Sequence, residues 1–329
     1  MNLRASIISE AANLPGRLNE DACYLQAAAD HALAVVADGA AQRLPTTRTA
    51  ALFGAHQGGA RYAAYLTCAV AGDFQHEHPA NILLAANQTL HDRLGEVYGE
   101  ISAAALVEHE PELAEAFTDD ERLVRLALPA CVATAVRLDL PNQSLTFAHA
   151  GDTALLLFYT DGRVQEVTHD QAGEHDNRAL YVARTLHIES DLPHFADALP
   201  HDSVQAANRK NGLYHNYVDA YGATNPDLGI GVINGLPQLA DYLQHGDLGL
   251  DGVAALLVCS DGFLWPSRWG ESVTEKAERY QHMRGLIEQG GLKEYVGALR
   301  EIEAQDSSRD LYPRFKVHDD ATAVYVELR

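Results

Sequence analysis

Four short acidic motifs carry the chemical potential of this chain: Asn19-Glu20-Asp21, Ala37-Asp38-Gly39, Ser260-Asp261-Gly262 and Asp319-Asp320-Ala321-Thr322. Two of them close strongly apolar runs. Leu33-Ala34-Val35-Val36-Ala37 precedes Asp38, and Ala254-Ala255-Leu256-Leu257-Val258-Cys259-Ser260 precedes Asp261. Runs of that kind read as strands buried on both faces. Each last residue then sits at a sheet end, where a carboxylate reaches a cleft. Carboxylates delivered this way from remote parts of the chain make an oxygen-rich pocket, which suits hard divalent ions such as Mg²⁺ or Mn²⁺.

The elements that must position these groups follow from the hydrophobic pattern. Strands are predicted near 6–9, 22–25 and 33–37. An alanine-rich block over about 47–118 reads as helices, with Thr46 or Thr47 as a first cap and Pro79 opening a helix over 79–97. Ile82, Leu83, Ala86, Leu90 and Leu94 recur there at helical spacing. Four strands over 131–168 read as an antiparallel meander with Gly151-Asp152 at its middle. Residues 170–235, rich in His, Asp, Asn, Gly and Pro, read as an irregular flap or insertion. A helix is predicted near 237–244, then the strand ending at Asp261, helices over 272–289 and 291–304, and a last strand over 322–328. Strands at both ends, a central meander and two helical blocks predict one domain over 1–329. Its class is α+β: two stacked antiparallel β-sheets flanked by helices.

Bulk composition excludes several functions. Acidic residues outnumber basic ones 46 to 24, for a net charge of −22, which disfavours nucleic acid and anionic membrane as partners. No run is long and apolar enough to span a bilayer. The opening Met1-Asn2-Leu3-Arg4-Ala5-Ser6 lacks the apolar core of a signal peptide, so a cytoplasmic protein is expected. Cys23, Cys68, Cys131 and Cys259 are widely spaced and form no CxxC pair, which argues for small buried hydrophobes and against structural zinc.

An Asp-Gly pair alone is usually a turn, and that explanation suits Asp161-Gly162 and Asp251-Gly252, which polar residues flank. It suits Asp38 and Asp261 less well. The order and context of the motifs resemble the metal-dependent protein phosphatases, the type 2C serine/threonine family. Arg17-Leu18-Asn19-Glu20-Asp21-Ala22, Val36-Ala37-Asp38-Gly39, Ala148-His149-Ala150-Gly151-Asp152-Thr153, Cys259-Ser260-Asp261-Gly262 and Asp319-Asp320-Ala321-Thr322-Ala323-Val324 resemble five of its motifs in order, across nearly the whole chain. The resemblance implies hydrolysis of phosphoserine or phosphothreonine in a protein substrate by a hydroxide bridging two Mn²⁺ or Mg²⁺ ions. Asp38 would bridge the ions, with the Gly39 carbonyl completing one coordination sphere. Asp261 and Asp319 would hold the second ion, with Asp320 ranked behind Asp319. Asp152 would join Asp261 at a third, weaker site. Glu20 and Asp21 would orient metal-bound water, and Arg17 would grip the phosphate as a charged fork.

Two departures from the family pattern stand out. Ala40 occupies the place where eukaryotic members carry a His that protonates the leaving group, and Ala41-Gln42-Arg43 replaces the usual Gly-Gly. Leaving-group protonation would then fall to metal-bound water. The same departures motivate one alternative, a regulatory or binding module of this fold with little or no catalysis. Three other readings are weaker. Gly229-Ile230-Gly231-Val232-Ile233-Asn234-Gly235 has the wrong spacing and no βαβ context for a dinucleotide fingerprint. His76-Glu77-His78 lacks the helical spacing of a zinc hydrolase. Glycoside hydrolysis by paired carboxylates gives no reason for the Gly-Asp-Thr and Asp-Asp-x-Thr contexts.

Overall fold

Alternation along the central strands explains the whole architecture of this computed structural model, which describes residues 3–12, 16–44, 46–48, 50–56 and 58–328. Strands β1 (Leu3–Glu10), β2 (Ala22–Ala27), β3 (His31–Ala40), β4 (Ala130–Asp139), β5 (Ser144–Ala150), β6 (Ala154–Tyr159), β7 (Val164–Glu166), β8 (Gln244–Gly249), β9 (Val253–Cys259) and β10 (Ala321–Leu328) form two sheets. One has the order β1-β10-β9-β6-β7 and the other β2-β3-β4-β5-β8. Every pairing is antiparallel. Along β3, Ala32, Ala34 and Val36 face the opposing sheet, where they meet Leu256, Val258, Val324 and Val326. Leu33, Val35 and Ala37 point the other way, onto helices α1 (Gly59–Asp73) and α2 (Pro79–Tyr98). The second sheet does the same: Leu257, Cys259, Ala323 and Tyr325 pack on the long helical segment Val273–Gln305. Both faces of β3 and β9 are therefore buried, as period-2 runs without polar members require. The result is the four-layer helix–sheet–sheet–helix sandwich expected from the sequence.

Several local expectations are corrected. The 131–168 strands are not one meander, because β4 and β5 belong to one sheet and β6 and β7 to the other. Gly151-Asp152 is the crossing point, and that puts Asp152 at the mouth between the sheets. The 170–235 segment is not irregular throughout: it holds α3 (Gly173–Glu189) and α4 (Asp202–Asn211), which pack through Ala183, Phe195, Leu199 and Val204. The helix expected near 237–244 shrinks to Leu239–Tyr242, and the next residues form β8, an edge strand without an apolar run to announce it. Thr47 donates to Glu110 at 2.6 Å. The break expected between 289 and 291 is real, since Gly291 takes φ +78 inside the long helical segment. His76 to His78 lies before α2, where His78 Nδ1 accepts from Ala80 N at 3.1 Å, a helix-capping role. The Gly229–Gly235 stretch is a connection pinned by Asn87, Gln171 and Asn216, with no parallel-strand unit around it.

Candidate metal centre

Strand register gathers the carboxylates. Ala22 pairs with Ala37, so Asp21 and Asp38 lie one step further along neighbouring strands. Asp38 itself pairs with Val132, and Ala133 pairs with Ala150, which puts Asp152 just past the same sheet end. In the other sheet Cys259 pairs with Ala323, and so Asp261 and Asp319 leave their strands side by side. The two sheet ends face each other across the mouth of the sandwich. Five sequence-predicted carboxylates, from both ends and the middle of the chain, thus share one neighbourhood.

The turns that carry them are fixed from below. Tyr295, fully buried on the long helical segment, donates to Phe263 O at 2.8 Å and holds the tight turn Asp261–Phe263. Arg300 on the same segment donates to Asp319 O at 2.6 Å and pairs with Glu303 at 2.9 Å. Thr322 N donates to Ser260 Oγ and Ser260 N to Thr322 O, both at 3.0 Å, which ties the two strand ends together. The glycines beside the aspartates are required by close packing. A Cβ on Gly262 would stand 2.1 Å from Asp320 O, and one on Gly39 would stand 2.8 Å from Glu20 O.

Electrostatics mark the cluster as short of positive charge. Burial pushes Asp38 well above the usual carboxylate range, and Asp21, Asp261, Asp152 and Asp319 push it further. Asp152 is raised likewise by burial and then by Asp261, Asp170 and Asp176. Asp261 is raised by desolvation within the crowded cleft and then by Asp319, and Lys316 offsets part of the rise. Asp21 is pushed up to about 7, first by burial and also by Asp320 and Asp261. It is 1% exposed, and neither of its side-chain oxygens has a hydrogen-bond partner. The nearby Ser260 and Thr322 hydroxyls offset part of the rise. Asp152 Oδ1 is orphaned as well. Asp38, Asp152 and Asp319 are nevertheless half-buried and Asp261 is exposed, so solvent reaches the crowded cleft.

Buried oxygen donors that repel one another and lack partners fit a hard divalent cation. The side chains do not stand at ligand spacing: among the described residues no three acidic, His or Cys groups already form a cage. Asp319 accepts from Lys316 Nζ at 2.7 Å through both oxygens. Asp320, ranked behind Asp319 as a ligand, acts in the structure as a clamp on two backbone N–H groups. It is 3% exposed and accepts from Ala12 N at 2.6 Å and Glu20 N at 2.7 Å, one on each oxygen, which fixes the Glu20 backbone. Arg17 donates to Glu20 Oε2 at 2.8 Å, within electrostatic reach of Asp319 and Asp320.

Two groups were missed by sequence reasoning. Lys316 supplies the local cation, and its only sequence signal is its position three residues before Asp319. Asp176, in the first turn of α3, is pushed up to about 7 by burial and by Asp261 and Asp170.

The chain matches the family described as Protein phosphatase 2C over residues 13–301, and it belongs to that family. The match stops before Asp319-Asp320, yet the strand register returns that motif to the cluster. Among solved structures, a bacterial serine phosphatase bearing one arginine-to-lysine mutation is 13% identical, with 100% of this chain and 98% of that one covered and a TM-score of 0.51. The Mycobacterium tuberculosis serine/threonine phosphatase PstP/Ppp is 18% identical, with both chains fully covered and a TM-score of 0.49. Serine/threonine phosphatase Stp1 from Staphylococcus aureus is 15% identical, with 100% and 96% covered and a TM-score of 0.49. No curated protein matches the chain.

Proposed function

We propose that this chain is a phosphoprotein phosphatase that uses Mn²⁺ or Mg²⁺ to hydrolyse phosphoserine and phosphothreonine, and that 1–329 acts as one domain in the cytoplasm. The observation that carries this reading is the convergence of Asp21, Asp38, Asp152, Asp261 and Asp319 on a solvent-reached cleft with Arg17 beside it. Asp38, Asp261 and Asp319 are the residues that would hold two ions, with the Gly39 carbonyl on one and Asp152 at a third position. Bound there, the ions would neutralise the phosphate dianion and acidify a water for attack. Arg17 would orient the phosphoryl oxygens as a guanidinium fork, and Glu20 holds that fork in place. Asp320 keeps Glu20 fixed through its backbone N–H. No imidazole stands at Ala40 to protonate a leaving alkoxide.

The direct test is hydrolysis of para-nitrophenyl phosphate and a phosphoserine peptide with excess Mn²⁺ or Mg²⁺, alongside Asp38→Asn. Turnover by the wild type that the variant lacks supports the reading; equal turnover by both overturns the assignment of Asp38. Ala40 and the Lys316–Asp319 pair favour a second reading, a non-catalytic binding module. Absence of turnover by the wild type with either ion would select it.

A further inference from the structure

A groove of about 730 Å³ lies outside the carboxylate cluster, between α3, the 267–270 loop and Pro313. Its walls lie close to the cluster along the chain. Glu174 on one wall is two residues from Asp176, the 267–270 loop starts six residues after Asp261, and Pro313 is six residues before Asp319. Six residues of extended chain span at most about 20 Å, so the groove is within reach of a short peptide whose phosphorylated residue sits at the cluster.

The lining combines an apolar floor with a cationic rim. Trp269 lies beneath the Arg184 guanidinium at 4.6 Å, which braces the ring. Tyr181, 62% exposed, stands 6.4 Å from Trp269 between ring centroids. Arg268 and Arg178 are exposed along the rim, and Arg178 makes a long 3.7 Å pairing with Glu174, itself exposed. An exposed pair at that distance is weak and exchanges readily for another carboxylate. Arg178 and Arg268 present their guanidinium groups to solvent beside these rings, Arg268 also lying 5.9 Å over Tyr312, in a chain with 24 basic and 46 acidic residues. The overall field repels an acidic partner, and only a local cationic patch lets one dock.

We propose that this groove seats the segment flanking the phosphorylated residue of a protein substrate, and that the preferred segment carries acidic side chains and one apolar anchor. The anchor packs on Tyr181 and Trp269, and the carboxylates pair with Arg178 and Arg268. The proposal rests on the phosphatase reading for the identity of its occupant.

The test compares two phosphoserine decapeptides. One carries two Glu and a Leu within about six residues of the phosphoserine, and the other has Ser and Gly at those positions. The acidic-apolar peptide should have a KM lower by about tenfold. The double variant Arg178→Glu/Arg268→Glu should erase that preference and leave para-nitrophenyl phosphate turnover within about twofold. Trp269→Ala should weaken both the preference and the binding. Equal KM values for the two peptides in the wild type, or a preference that survives the double variant, would overturn the proposal. So would self-association that the double variant abolishes, because a second copy would then fill the groove. If para-nitrophenyl phosphate is not hydrolysed, the phosphatase reading fails by itself. The groove is then judged by quenching of tryptophan fluorescence with the unphosphorylated acidic-apolar peptide, which must saturate and must vanish in the double variant.

Discussion

The side chains that crowd the cleft have opposed needs, and that conflict generates the sharpest predictions. Asp38 is the most encircled carboxyl, surrounded by Asp21, Asp261, Asp152 and Asp319. Asp38→Asn removes one negative charge and a proposed ligand oxygen while keeping shape, and should lower kcat by more than about 10²-fold and weaken Mn²⁺ binding. Assay of para-nitrophenyl phosphate with excess Mn²⁺ checks it. Arg17 pairs with Glu20 and is the proposed phosphate fork, so Arg17→Ala should raise KM by about tenfold more than it lowers kcat. A loss confined to kcat would contradict that role. His149 is a separate case: it is fully buried, hydrogen-bonds to Thr134, Gly151 O and His169 O, and burial depresses its pKa to about 4. Its neutral form stabilises the fold above the unfolded value. As pH falls from about 6.5 through about 4, the unfolded chain takes up the proton first, and on the order of 3 kcal/mol is lost. Urea melts of the wild type and His149→Gln between pH 7 and 4 measure it, the variant losing that part of the slope.

Among the secondary-structure elements, the β9 and β10 ends are the hinge of the site. Their ladder, the Ser260–Thr322 exchange and the Tyr295 and Arg300 hydrogen bonds lock two carboxylate turns to one helix. Gly262→Ala places a Cβ 2.1 Å from Asp320 O, a contact with rigid backbone. Overpacking of that kind should cost about 1–3 kcal/mol and displace Asp261. Thermal melting would register the first effect and Mn²⁺ affinity the second; a variant as stable as the wild type would show that the turn yields freely. The glycines after Asp38 and Asp261 are thus explained by tight backbone packing, a cause that local turn chemistry does not supply.

Across the full fold, a net charge of −22 and a mouth lined by carboxylates make cations part of the stability balance. Asp21 has its folded pKa raised to about 7, mainly by burial. Its stabilising contribution is present below the unfolded value of about 4 and is lost as pH rises through about 7. Metal-free protein should therefore lose stability across that window. Each ion bound at a hundred times its Kd should restore about 2.7 kcal/mol. The gain should be larger at pH 8 than at pH 6, because the ligands must be deprotonated. Melting curves with EDTA and with Mn²⁺ at the two pH values decide it, and identical curves would speak against any metal at this cluster.

The period-2 apolar runs around Val35 and Leu257, and hence the two buried sheets, were legible in the chain alone, as was the aspartate that ends each run. Those features are local: side-chain alternation and the residue that follows a strand are written in adjacent letters. Which carboxylates face the cleft was settled by folding. Asp319 and Asp320 are neighbours of one type, yet one turns to Lys316 and the other clamps the backbone of Ala12 and Glu20. The split of 131–168 between sheets, the helix that brings Asp176 near Asp261, and the groove under Tyr181 and Trp269 were likewise not legible. Each depends on packing between segments far apart in the chain, and no short window of sequence contains both partners.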